Sequence, residues 1–174
     1  LKKQWQSFYV VTFITIILLV LVACNEKTET KYQDENLVTI ETVLNQAFTG
    51  PSDELKQIVD SKGLEDLVQY DENFYKDYFA DESSYLEFVK NNYGSGFMIE
   101  PIRNGYELKV NNIEYEKTES NEIIYNFAVE IQYRKEGSKK SAVEVVKGQA
   151  NLNKEHKIED LLIHDKEFHS LFNN

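Results

Sequence analysis

Between Ile123 and Tyr133 every second residue is apolar or aromatic: Ile123, Tyr125, Phe127, Val129, Ile131 and Tyr133. A period of two places all six on one face of an extended strand. Asn126, Glu130, Gln132 and Arg134 fall on the opposite face, which is therefore expected to be wet. From Phe97 onward the helical period gives way to this one. "YELKVNNIEYEK" carries Tyr106, Leu108 and Val110, then resumes at Ile113 and Tyr115. The slip of phase at Asn111-Asn112 predicts a β-bulge. "SAVEVVKGQANLN" reads as a third strand, with Gly148 at a bend or close approach. "KIEDLLIH" reads as a fourth. The connectors "TESN", "EGSK" and "NKEH" are of hairpin length, so the four strands are predicted to form an antiparallel meander.

Upstream the period is helical. Leu37, Val38, Ile40, Val43, Leu44, Ala47 and Phe48 step by threes and fours, which predicts a helix over Glu35 to Thr49, stopped by Gly50 and Pro51. "PSDELKQIVD" restarts with Ser52 as N-cap and Asp53 and Glu54 suited to the helix dipole. Ser61-Lys62-Gly63 breaks it, and "LEDLVQY" is expected to make a short helical turn. Phe74, Tyr75, Tyr78 and Phe79 share one helical face. A further turn opens at Asp81, with Tyr85, Leu86, Phe88 and Val89 clustered, and Gly94-Ser95-Gly96 ends it. Core packing explains this aromatic density better than an aromatic cage does. "DKEFHSLF" closes the chain with a helical turn. Helices followed by a bent antiparallel sheet define an α+β class.

The first 24 residues have a separate logic. "LKKQWQS" holds two lysines and no acid, and "FYVVTFITIILLVLVA" is apolar apart from Thr12 and Thr15. Then come Cys24, the only cysteine, and the polar "NEKTETKYQDEN". Basic head, apolar middle and small residue before a cut are the parts of an export signal. The apolar run is shorter than the ~20 residues of a spanning helix. Leu21-Val22-Ala23-Cys24 resembles the lipobox of bacterial lipoproteins. That resemblance implies a diacylglyceryl group on Cys24 and cleavage before it. The expected organisation is a signal peptide over 1–23, a lipidated N-terminus and flexible tether over 24–36, and one globular domain over 37–174. The expected address is the extracytoplasmic face of a cell membrane. Two acyl chains anchor stably at ~0.8 kcal/mol per buried CH₂.

Net charge is −11, and removing residues 1–23, which hold two lysines and no acid, takes it to −13. Such a surface repels phosphate backbones, so nucleic acid is not an expected partner. One cysteine excludes an intrachain disulfide and a multi-cysteine metal site. A nucleophilic cysteine needs a basic partner, and Asn25 and Glu26 beside Cys24 offer none. No cofactor is implied. Among the histidines, His156 is expected to be an exposed turn residue. His164 is the one weak pocket candidate. It adjoins Asp165, but neighbours on a strand point to opposite faces, which argues against a catalytic dyad. His164 and His169 are five apart, not an i, i+4 metal pair. No nucleophile elbow, calcium loop or phosphate loop is present.

The order of elements resembles the nuclear transport factor 2-like (cystatin-like) fold, in which N-terminal helices pack into a curved sheet. The whole chain is similar to small lipoproteins of Gram-positive bacteria, with "FTGPSDELK" after the first helix and "FAVEIQYRKEG" in strand and hairpin. The lipobox, the short tether and the lack of a reactive constellation point to a membrane-anchored, non-catalytic binding or interaction module with a protein or small-molecule partner. The alternatives are an enzyme using the cone of the sheet, or a structural component of a secretion or conjugation apparatus.

Overall fold

The structure, a computed structural model, describes residues 34–61 and 63–172. Cys24, the rest of the lipobox (Leu21, Val22 and Ala23), the signal segment and nearly all of the tether lie outside the described residues. Five helices come first: α1 (Glu35–Phe48), α2 (Asp53–Ser61), α3 (Leu64–Tyr75), α4 (Glu82–Lys90) and α5 (Gly96–Arg103). A 3-10 turn, Lys76–Tyr78, joins α3 to α4. Then follow β1 (Tyr106–Lys117), β2 (Ile123–Lys135), β3 (Ser141–Leu152) and β4 (Ile158–His164), and a short α6 (Lys166–Ser170). The strands form one antiparallel sheet in the order β1-β2-β3-β4. The fold is α+β, with the helices N-terminal to the sheet apart from α6. Among the described residues no helix is long and apolar enough to cross a membrane.

Several local signals act as their chemistry predicts. The register of β1 against β2 slips between Val110 and Asn112. The Ser52 hydroxyl accepts the Leu55 N–H at 3.1 Å and starts α2. The Asp81 carboxylate accepts the Ser84 N–H at 2.8 Å and starts α4. A Cβ added at Gly148 would overlap the Leu162 carbonyl oxygen and the Phe127 ring, which is the close approach that position was expected to serve.

Two expectations are corrected. "LEDLVQY" is no single turn but the start of the 12-residue α3. Residues from Phe97 do not begin the strand region: Gly96–Arg103 is a helix, and the period of two starts at Tyr106. Phe97, Met98 and Pro101 are buried at i, i+1 and i+4, a helical stripe disguised by the glycine before it and the proline inside it.

The core lies between the helices and one face of the sheet. Tyr125, Phe127, Val129 and Ile131 of β2 enter it, joined by Val146, Ala150 and Leu152 of β3 and Leu161 and Ile163 of β4. From the helices come Ile40, Val43, Leu44, Phe48, Tyr75, Phe88, Phe97 and Phe168. Phe97 sits at the hub. Its ring stacks on Tyr93 at 5.4 Å, tilts against Phe48 at 4.6 Å and meets Phe168 edge-on at 6.1 Å. Aromatic pairs in these geometries add ~0.5–1.5 kcal/mol each beyond area burial. Of the aromatic-rich segment, Tyr75, Phe79, Tyr85 and Phe88 are core, as the spacing predicts, while Phe74 and Leu86 stay exposed.

Candidate functional site

A cone-shaped pocket would need its floor free of side chains. Here the helix-covered face of the sheet is filled: Val129, Ile131, Phe48 and Phe97 are fully buried, and Phe168 and Phe172 nearly so. Among the described residues no cluster of His, Cys, Asp and Glu is arranged to hold a metal ion.

The histidines go to three different places. His164 ends β4 on the outer face, exposed, opposite Lys147 of β3. Asp165 turns away from it. Its carboxylate lies 3.0 Å from His169 Nε2, while the His169 ring stacks on Phe97 at 5.4 Å. The histidine–aspartate pair that forms is thus Asp165–His169, four residues apart on one face of α6, and not the adjacent pair. His156 corrects the expectation of a simple exposed turn residue. Its backbone φ is +61°, its Nδ1 is 3.0 Å from Asn36 Oδ1, and its Nε2 is 2.9 Å from Glu35 Oε2. Its carbonyl accepts the Thr39 hydroxyl at 2.8 Å. The β3–β4 hairpin therefore clasps the first turn of α1. Asp34 completes the clasp, accepting from Tyr125 Oη at 2.5 Å and from the Asn36 N–H at 3.0 Å. Burial alone would raise the Asp34 carboxyl, but these hydrogen bonds hold it below its ordinary value.

One buried acid was missed by sequence reading. Asp71 sits on α3 at a core position and accepts the Ser95 N–H at 3.1 Å and the Ser95 hydroxyl at 2.8 Å. Burial pushes its carboxyl up to about 6, against the lowering effect of the Ser95 bonds. Four residues separate Asp71 from Tyr75, a spacing that would have flagged it. The pair ties α3 to the turn before α5, and Gly94 fits there at φ +66° because a Cβ would press on Phe88, Tyr75 and Asp71.

Among the surfaces available to a partner is the margin of the sheet. β1 is guarded: Gly50 and Leu108 exchange hydrogen bonds of 3.0 and 2.7 Å, the Thr49 hydroxyl accepts from Val110 N–H, and a bulge follows. Beyond the bulge Glu114, Glu116 and Lys117 place charge on that strand, a device that discourages edge pairing. β4 is covered at both ends. Ala80 N–H donates to the Ile158 carbonyl at 2.8 Å. Tyr93 Oη both donates to the Ile163 carbonyl and accepts its N–H, each at 3.1 Å. β3 differs. β4 pairs only with its Lys147–Leu152 half, so among the described residues Ser141–Val146 has β2 on one side and no strand on the other. An open depression of about 610 Å³ lies there, lined by residues 144–147 and 162–168, His164 among them. The sequence singled out His164; the structure sets it on the rim of this notch rather than in a pocket under the sheet.

No family profile matches the chain, and no curated protein does. Among solved structures, the solution NMR structure of TraH, a candidate transfer protein of the Gram-positive conjugative plasmid pIP501, is similar with a TM-score of 0.45 at 13% identity. The match covers 78% of this chain and 95% of that one.

Proposed function

We propose that this chain is a lipoprotein held at the extracytoplasmic face of a cell membrane through Cys24, and that its α+β body, of the nuclear transport factor 2-like type, is an interaction module without catalysis. The observation that carries the non-catalytic part is the filling of the sheet's helix-covered face by Phe48, Phe97, Phe168 and Phe172. An enzyme of the cone type needs that volume for substrate and a base at its floor. Here the rings take the volume, and His164 stands outside it. Backbone edge and surface side chains are what the body offers instead. A structural part in a secretion or conjugation apparatus is the same module with a fixed protein partner, and co-purification from membranes separates that case.

Two experiments test the reading. Metabolic labelling with a palmitate analogue is expected to mark the wild type and not Cys24→Ala; equal labelling removes the anchor. Small-molecule libraries incubated with the purified chain are expected to yield thermal shifts at most. Reproducible turnover would falsify the non-catalytic assignment.

A further inference from the structure

We propose that the open edge of β3 receives a second copy of the same chain, by antiparallel pairing of β3 with β3 across a two-fold axis. This deepens the interaction reading and rests on it, including its placement of the chain at a membrane.

Backbone accounting locates the site. In an antiparallel sheet each residue turns its N–H and C=O toward one neighbouring strand, and alternate residues toward the other. The Thr118 N–H bonds the Ile124 carbonyl at 2.9 Å, so even residues of β2 face β1 and odd residues face β3. Through the register Val129↔Val146 and Ile131↔Glu144, even residues of β3 face β2 and odd residues face away. β4 takes up Lys147, Gln149 and Asn151, then stops at His164. Val143 and Val145 therefore turn their N–H and C=O groups outward past its end. Their side chains are 50% and 47% exposed on the outer face, with Leu162 47% exposed at the end of β4. An unbulged edge with two exposed valines whose N–H and C=O groups face outward is a template for another strand.

Charge and register choose the occupant. The notch presents Glu144, Asp165 and Glu167 beside Lys147 and Lys166, a mixed set that suits neither a uniformly basic nor a uniformly acidic peptide. A mixed set suits a copy of itself. Outward-facing residues pair with outward-facing ones, so the two-fold axis falls at Val143, Glu144 or Val145. Centring on Val145 drives Val143 opposite Lys147 of the other copy, a place β4 already fills. Centring on Glu144 sets two carboxylates face to face, which is repulsive. Centring on Val143 pairs Ser141 with Val145 of the other copy. It also brings the Lys139–Lys140 turn of each copy toward the Asp165–Glu167 turn of the other. Lys139, Lys140 and Glu167 have no ion-pair partner among the described residues. A ladder this short buries less than the ~1,200 Å² of stable complexes. Confinement of both copies to one membrane raises their effective concentration and favours the pair.

The test uses the full chain in membranes, with Val143→p-benzoylphenylalanine as a photo-cross-linker. The expected product has twice the chain mass, and its linked peptide lies within Ser141–Val146 of the second copy. Lys139→Glu with Lys140→Glu is expected to cut the yield about fivefold. Adding Glu167→Lys is expected to restore it, while circular dichroism of the purified chains stays unchanged. A cross-link to a different protein, a cross-link elsewhere on the chain, or none at all overturns the dimer. Each of those outcomes leaves the interaction reading standing, because only turnover removes it.

Discussion

At the scale of single residues, Asp71 and Gly148 show how burial converts chemistry into stability. Asp71 is 5% exposed, and its carboxyl is raised to about 6 from 3.8. A raised acid binds more protons folded than unfolded between those two values, so its contribution to stability improves as pH falls from about 6 to 3.8. Above about 6 its charge is a standing cost. In Asp71→Asn the amide oxygen still accepts the Ser95 N–H and the amide NH₂ can donate to the Ser95 hydroxyl. We expect this variant to exceed wild type at pH 7 by about 1–3 kcal/mol, with the gap closing toward pH 4. Urea unfolding at both pH values measures it; a gap that widens on acidification sinks the explanation. Gly148 was legible as a close approach because glycine weakens a strand interior and needs a reason to be there. Gly148→Ala is expected to cost about 1–3 kcal/mol, because the new methyl meets a backbone carbonyl that cannot rotate away.

At the scale of elements, the clasp between α1 and the β3–β4 hairpin is a contact no local pattern announces. Thr39 and His156 are 117 residues apart, Asn36 and His156 120. His156 looked like turn chemistry, which its positive φ satisfies, but its ring and carbonyl both serve the helix. His156→Asn keeps a residue tolerant of that backbone and removes the Glu35 contact. The variant is expected to lose about 1 kcal/mol. Its effect is expected to be local, with faster amide exchange in the first turn of α1 and unchanged exchange in β2. The helices α3 and α5 were misjudged for related reasons. Asp71 interrupts the apolar stripe of α3, and Gly96 and Pro101 bracket α5 with residues that ordinarily punctuate loops. In each case burial of the right face outweighed local preference.

At the scale of the whole molecule, an acidic body is carried by a chain whose first 24 residues hold no acid. Trp5 is the only tryptophan and lies upstream of the proposed cut. Protein recovered from membranes after processing is expected to show tyrosine emission alone, while Cys24→Ala, left unprocessed, is expected to retain tryptophan emission. Tryptophan emission of equal strength in both would remove the cleavage step. The sheet's two margins also belong to this scale. Natural sheets protect their edges by bulges, charge or cover. β1 uses a bulge and charge, and β4 uses Ala80 and Tyr93. The Ser141–Val146 stretch stays open because β4 is seven residues long against twelve in β3.

Periodicity by itself determined the strands, the bulge, the meander and most helices, because side-chain alternation and helical stepping are properties of neighbours in the chain. The same local reading placed His164 at the end of a strand and predicted that Asp165 would not face it. It could not say that rings from three separate segments would fill the space beneath the sheet. Nor could it say that β4 would end short of β3 and leave Val143 and Val145 facing outward. Those outcomes depend on which distant segments meet and where they stop. Burial free energy and backbone hydrogen bonding settle that only once the whole chain is folded.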